Sequence, residues 1–368
     1  MTAVELNAGK FNYIIHYFMK KISLLFLGLS VVTLFGAGCI TIGAKKNASP
    51  GGVLKSVNKG VLWEAKNISP TAQGIGTISN INIEDLTFDP QDEKAIYLSS
   101  SGSGLFYTWD GAESWNYVSS LGTGYVNSVA IDYKDKCTLF TALQNKILKT
   151  TDCARTWESK YFDTRTNEFI SYLAISPENS NIIYAGLSGG DLLKSSDAGE
   201  SWTTIERFKD KVVKILISPK NSRDIMVVLS KNGLRVSNDS GATWVDLNKQ
   251  MAEFRGSNVT YDLVTDIGAD TIFQASSYGI LKSEDFGKSW SNIELLTPPG
   301  SVQIYSMAVN PNNNKEIYYS TASTLYSSFD GGENWVTKKL PTPNAGSALL
   351  VNPKDGNMLY MGTKSLAK

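Results

Sequence analysis

Five carboxylates fall in three uneven stretches of this 368-residue chain: Asp163 and Glu168, Glu206 and Asp210, and Glu253. Carboxylates facing each other across a cleft are the equipment of glycoside hydrolysis, one serving as acid and the other as base or nucleophile. Tyr161, Phe162 and Arg165 accompany the first pair, Arg207 and Lys209 the second, and Phe254, Arg255 and Tyr261 the last carboxylate. Aromatics among mixed charges equally suit a contact surface for a macromolecular partner. Other chemistry is excluded by what the chain lacks. The one histidine, His16, lies ahead of an apolar leader segment, so the rest of the chain has no Ser-His-Asp or Cys-His triad, no His-ligated zinc and no histidine base. Beyond Cys39, which directly follows the leader, only Cys137 and Cys153 remain, too few thiols for a metal site, and the sequence calls for no metal and no cofactor.

Charge points away from nucleic acid. The chain carries 35 basic and 35 acidic residues, and its six arginines are scattered at positions 155, 165, 207, 223, 235 and 255, whereas a polyanion groove wants clustered cations.

The N-terminal region reads as an address. Met19-Lys20-Lys21 precedes the apolar run ISLLFLGLSVVTLFGAG, and Cys39 follows the small residues Gly36-Ala-Gly38. This resembles the bacterial lipobox, which implies a signal over residues 1–38, cleavage before Cys39 and a lipid on its thiol. The family prefers Leu three residues before the cysteine, where this chain has Gly36. The alternative is an uncleaved helix, because Ile22 to Gly38 is at the short end of what spans a bilayer. Either way the expectation is an exported chain, held to a membrane of the bacterial envelope. Residues 39–50 would form a tether, of which residues 40–50 reach at most about 35–40 Å. In an oxidising compartment Cys137 and Cys153 are expected to pair, the other reading being two small buried thiols.

The elements that must position these residues announce themselves through tryptophan. Ser195-Ser-Asp197-Ala-Gly199-Glu-Ser201-Trp202 recurs as a box ending at Trp244, with Asp239 and Gly241, and at Trp290, with Asp285 and Gly287. Looser copies are Asn58 to Trp63, Asp110 to Trp115, Asp152 to Trp157, and Asp330, Gly332 to Trp335. Seven of the eight tryptophans close a box, at intervals of 52, 42, 45, 42, 46 and 45 residues, and only Trp109 is left over. A period of that size signals a repeat fold. In residues 212–247 the unit is legible: strand VVKILIS, turn Pro219-Lys-Asn221, strand DIMVVLS, turn Lys231-Asn-Gly233, strand LRVS, the box, and a fourth strand. Four short strands per unit describe a propeller blade. The box itself reads as a turn, with Asp accepting amide hydrogen bonds, Gly at positive φ and Trp packing between sheets. A catalytic or calcium-binding role for its Asp would require seven duplicate sites.

These boxes resemble the Asp-box, or bacterial neuraminidase repeat. That superfamily includes photosystem II assembly-factor-like proteins, sortilin-type receptors, xyloglucanase-like glycosidases and sialidases, and the resemblance covers about residues 51–368. Xyloglucanases place their cleft between two propellers, and this chain has boxes for one. Sialidases carry an Arg-Ile-Pro signature absent here, and sortilin-like receptors add cysteine-rich domains.

The expected fold is all-β: a seven-bladed β-propeller of four-stranded antiparallel blades over residues 51–368. Its last blade is built from both termini, with either VLKS or SLAK as the third strand. Boxes and Pro-containing turns fall on one face. The opposite face carries Tyr161, Phe162, Asp163, Arg165, Glu206, Asp210, Glu253, Arg255 and Tyr261, the candidate ligand surface. The expected role is a non-catalytic binding or assembly platform for a protein or glycan partner, with a glycoside hydrolase using paired carboxylates on that face as the alternative.

Overall fold

A computed structural model describes residues 51–266 and 270–366. Cys39, the leader at residues 1–38 and the tether at residues 39–50 lie outside the described residues. Seven four-stranded antiparallel sheets form a ring, a seven-bladed β-propeller. The innermost strands are Ile83–Asp89, Val126–Ile131, Ile170–Ile175, Val212–Ile217, Thr260–Thr265, Ser306–Asn310 and Ala345–Val351, which we assign to blades 1 to 7 in that order. Second strands such as Ile183–Leu187 and Ile225–Leu229 are buried along their whole length, because a neighbouring blade covers each face. That accounts for their unbroken apolar runs. The fourth strands face water.

Blade 7 closes the ring. From the inside outwards it consists of Ala345–Val351, Leu359–Lys364, Val53–Ser56 and Glu64–Ala65. VLKS takes the third place, with Val53 opposite Gly362 and Ser56 opposite Leu359, while Ser365 and Leu366 continue as irregular chain. Two strands from each end of the fold leave no blade unfinished, so the only sheet edges are the short outer strands of the blades.

The core is divided into seven apolar clusters, each spanning the gap between two blades and each joined by one box tryptophan. Trp202, for example, packs with Phe140 and Ile147 of blade 2 and Leu173 and Ile183 of blade 3. Of the seven box indoles Trp115 is fully buried and the other six are half-buried. The cause is an extra hairpin, Ile68–Thr71 with Gly74–Thr77, inserted between blades 7 and 1. It lies over Trp115, whose backbone amide donates to the Ile68 carbonyl (2.8 Å) and whose indole N–H donates to the Lys66 carbonyl (2.9 Å).

Each box is a closed hydrogen-bonded unit. In the specimen copy the Ser195 hydroxyl donates to Asp197 (2.8 Å) and accepts the Gly199 amide (2.8 Å), while Asp197 accepts both the amide (2.9 Å) and hydroxyl (2.6 Å) of Ser201. Asn58 plays the Asp part in the first copy, accepting from the Ser56 hydroxyl and the Leu62 amide. Gly199, at φ +88°, lies so close to the preceding blade that a Cβ would come within 2.7 Å of the Phe140 ring. Both the backbone and the packing demand glycine there.

Candidate functional site

The face opposite the boxes is built from the connections between outer and inner strands and from the tight turns between second and third strands. Six of the seven innermost strands carry a β-bulge where they leave this face, with Glu84, Asn127, Ser171, Val213, Tyr261 and Ser347 as the extra residues. A bulge bends the strand and re-aims its side chains. Here it turns polar groups sideways, towards the next blade. Asn127 donates to the Ile170 carbonyl (2.8 Å), Ser171 to that of Val212, and Ser347 to that of Ile83 (2.6 Å). Ser306 of blade 6 donates to Gly346 (2.8 Å). The result is a hydrogen-bonded girdle around the mouth of the central channel.

Between blades 4 and 6 the girdle is ionic. Lys214 donates to Asp262 (2.9 Å), whose other oxygen accepts the Met307 amide (3.0 Å). Asp85 of blade 1 and Tyr172 of blade 3 face this pair across the channel. Burial pushes the Asp85 carboxyl up to about 6 despite the opposing pull of Lys214, and burial pushes the Tyr172 phenol up to about 12. Burial disfavours the Lys214 charge, but Asp262 outweighs it and holds the ammonium above the ordinary lysine value. Sequence reasoning missed all four residues. The signal was present: IEDLTFD, VVKILI and TYDLVT each place a charge just after the bulge of an otherwise buried inner strand. A cavity of about 210 Å³ lies against the inner strands of blades 1 to 4, lined by residues including Thr87, Val129, Tyr172, Leu173, Ile175 and Ile215.

The nine candidate ligand-face residues do not act as one surface. Asp163 is buried, gripped by Arg165 through two bonds (2.9 and 2.7 Å) and by the Tyr161 hydroxyl (3.2 Å), and the guanidinium holds its carboxyl below the usual carboxylate range. Tyr161 turns inward onto Trp202, ring centroids 6.3 Å apart. Tyr261 bonds Ser277 (2.8 Å) and packs into the blade 5–6 cluster. All three side chains are thus engaged in contacts within the fold, Asp163 with its own connection, Tyr161 with the Trp202 ring and Tyr261 with Ser277 of its own blade. Asp210 caps the turn of its own blade by accepting the amides of Lys231 (2.8 Å) and Asn232 (2.9 Å). Glu168 caps the corresponding turn of blade 3, accepting the Ser188 hydroxyl (2.8 Å) and the Gly189 amide (2.7 Å). Glu206 accepts the amide of Arg207 (2.8 Å). Of the nine, Phe162, Arg165, Glu253 and Arg255 are exposed, and Arg207 beside them is exposed too. Asp191, an unforeseen partner, accepts from Arg165 (3.0 Å) and lies 3.4 Å from Arg207, linking the rims of blades 2 and 3.

Cys137 and Cys153 form a disulfide inside blade 2. Among the described residues no three His, Cys, Asp or Glu side chains gather as a metal site requires.

No family model matches the chain, and no curated protein matches it in sequence. Solved structures do. A GH74 xyloglucanase from Xanthomonas campestris superposes with a TM-score of 0.63 at 18% identity, over 77% of this chain and 51% of the enzyme. YCF48 bound to a D1 peptide gives 0.59 at 18% identity, over 77% of this chain and 93% of YCF48. YCF48 from Cyanidioschyzon merolae gives 0.58 at 12%, over 77% and 95%. This chain spans about half the length of the xyloglucanase it resembles and nearly the whole of YCF48. At these identities the likeness establishes the propeller fold.

Proposed function

We propose that this chain is an exported, membrane-anchored propeller, tethered through a lipid on Cys39, that serves as a non-catalytic platform for a protein or glycan partner on the face opposite its boxes. The observation that carries this reading is the commitment of the candidate catalytic carboxylates: Asp163, Glu168 and Asp210 are tied into ion pairs or turn caps. What remains free is a surface of mixed charge with an aromatic at its edge, built to touch rather than to transfer protons. Support also comes from YCF48, matched over 93% of its chain, whose structure was solved bound to a D1 peptide.

The test is capture from detergent-solubilised membranes with the native chain and with an Arg207→Glu, Arg255→Glu variant. A defined protein or glycan retained by the first and lost by the second supports the platform. Turnover of aryl glycosides by the native chain, abolished by a single carboxylate substitution, would replace it with the hydrolase reading. That second reading draws on Asp85, the one channel carboxyl poised near 6 in the manner of a general acid. Cys39→Ser should release the protein from the membrane fraction, whereas an uncleaved helix would retain it.

A further inference from the structure

Trp109, the tryptophan that closes no box, occupies the second place of its own. The other boxes have Val57, Thr151, Ser196, Asn238, Glu284 and Phe329 there. It packs on Tyr107 (centroids 5.0 Å apart) and edge-on to Tyr97 (5.9 Å), yet stays 39% exposed. It lines the larger of the described cavities, about 510 Å³, between blades 1 and 2. Tyr107 and Tyr117 add further aromatic wall, Ser119 contributes a hydroxyl, and Asp92, Lys136 and Arg155 supply charge. This size falls within the roughly 300–1,000 Å³ of small-molecule sites, and the lining sets three aromatic rings against a larger share of polar and charged groups, as a polar ligand with an apolar face would need.

Two features of blade 2 distinguish this place from an ordinary seam. The boxes at Trp202, Trp244 and Trp290 satisfy the indole N–H with the carbonyl of the box glycine. At Trp157 the equivalent carbonyl, that of Ala154, takes the Ser120 hydroxyl instead (3.0 Å), and the indole N–H is left buried without a partner. The box has been rebuilt around the cavity. In addition, the disulfide joins Cys137 to Cys153, next to Lys136 and two residues before Arg155, so both cations stand on one stapled wall. Arg155 spends one donor on the Asp152 carbonyl (3.1 Å) and keeps the rest of its guanidinium.

We propose that this cavity binds an acidic sugar ring, a hexuronate unit of a glycan. Trp109 and Tyr107 present π faces to the ring C–H edges, Asp92 and Ser119 reach hydroxyls, and Lys136 with Arg155 receives the carboxylate. Two cations against one carboxylate disfavour a cationic ligand, and the hydroxyls would be wasted on a purely apolar one.

The experiment is calorimetric titration of the full chain with tetragalacturonate, an uncharged tetragalactoside and choline. Tetragalacturonate should bind at least tenfold more tightly than the neutral sugar, and increasingly so at low salt. Trp109→Ala should weaken it at least tenfold, with Trp109→Tyr restoring part of the loss at an unchanged Tm. Lys136→Gln with Arg155→Gln should erase the preference for the acid while leaving neutral-sugar binding in place. Equal binding of neutral and acidic sugars, binding of choline alone, no sugar binding, or indifference to Trp109→Ala would each overturn the proposal. The Arg207→Glu, Arg255→Glu variant should bind tetragalacturonate normally, which separates this site from the platform surface.

Discussion

Two consecutive left-handed residues sit at the heart of every box. Lys59, Gly111, Cys153, Ala198, Ser240, Phe286 and Gly331 hold the fourth place at φ between 56° and 88°, directly before the fifth-place residue, also at positive φ. The sequence points to positive φ only at the fifth place, where glycine recurs. The fourth escapes notice because hydroxyl and carboxylate bonds on both sides hold even β-carbon residues in that conformation. Ala198→Gly should therefore stabilise the fold by about 1 kcal/mol, read as a rise in the denaturation midpoint at unchanged slope. The same bonds depress the box carboxylates: the Ser201 hydroxyl above all holds Asp197 at about 2, and the Asn334 amide holds Asp330 at about 2. A folded value below the unfolded one adds stability above pH 4 that disappears as pH falls towards 2. Asp85 has the opposite sign. Its folded value of about 6 exceeds the ordinary 3.8, so its contribution is favourable at pH below 4 and is lost as pH rises through 6. Asp85→Asn should accordingly raise the melting temperature at pH 8 and leave it nearly unchanged at pH 4. Equal effects at both values would show that Asp85 is not buried as a charge.

At the scale of elements, the bulges explain how repeated strands come to differ. One extra residue at the mouth of each of six inner strands converts a ladder into a girdle, and its charged segment, Lys214 with Asp262, spans the junction of blades 4 and 5. The inserted hairpin is the other departure from repetition. It interrupts the longest tryptophan interval, from Trp63 to Trp115, and it alone turns a half-buried indole into a fully buried one. Replacing residues 68–77 by a short glycine–serine linker should uncover Trp115. A red-shifted emission and a loss of about 2 kcal/mol are expected, from the apolar area returned to water. An unshifted spectrum would mean that blades 7 and 1 bury Trp115 unaided.

Across the whole molecule, stability depends on closure between chain segments some three hundred residues apart. Val53–Ser56 pairs with Leu359–Lys364, and Thr363 bonds the Gly52 carbonyl through both its amide (3.1 Å) and its hydroxyl (2.9 Å). Deleting residues 51–66 removes two strands of blade 7 together with the box tryptophan that packs blades 6 and 7. Such a variant should melt at markedly lower temperature and be cut by protease within blade 7 first. Unchanged melting and protease resistance would show that six blades and a remnant suffice.

The periodicity of one phrase determined the class of fold, the number of blades and the joining of the two ends, because a turn that needs Ser, Asp, Gly and Trp in fixed places leaves a local signature wherever it occurs. Tertiary structure alone decided which side chains of the opposite face are free. Tyr161, Asp163 and Tyr261 read as surface in the chain and are drawn into hydrogen bonds within the fold, while Asp85, Lys214 and Asp262 read as scattered charges on separate strands and meet across one channel. Capping and pairing depend on what the fold places within hydrogen-bond reach, from the same blade for Asp210 and Glu168 and from the next blade for Lys214 and Asp262, at positions where the repeats differ.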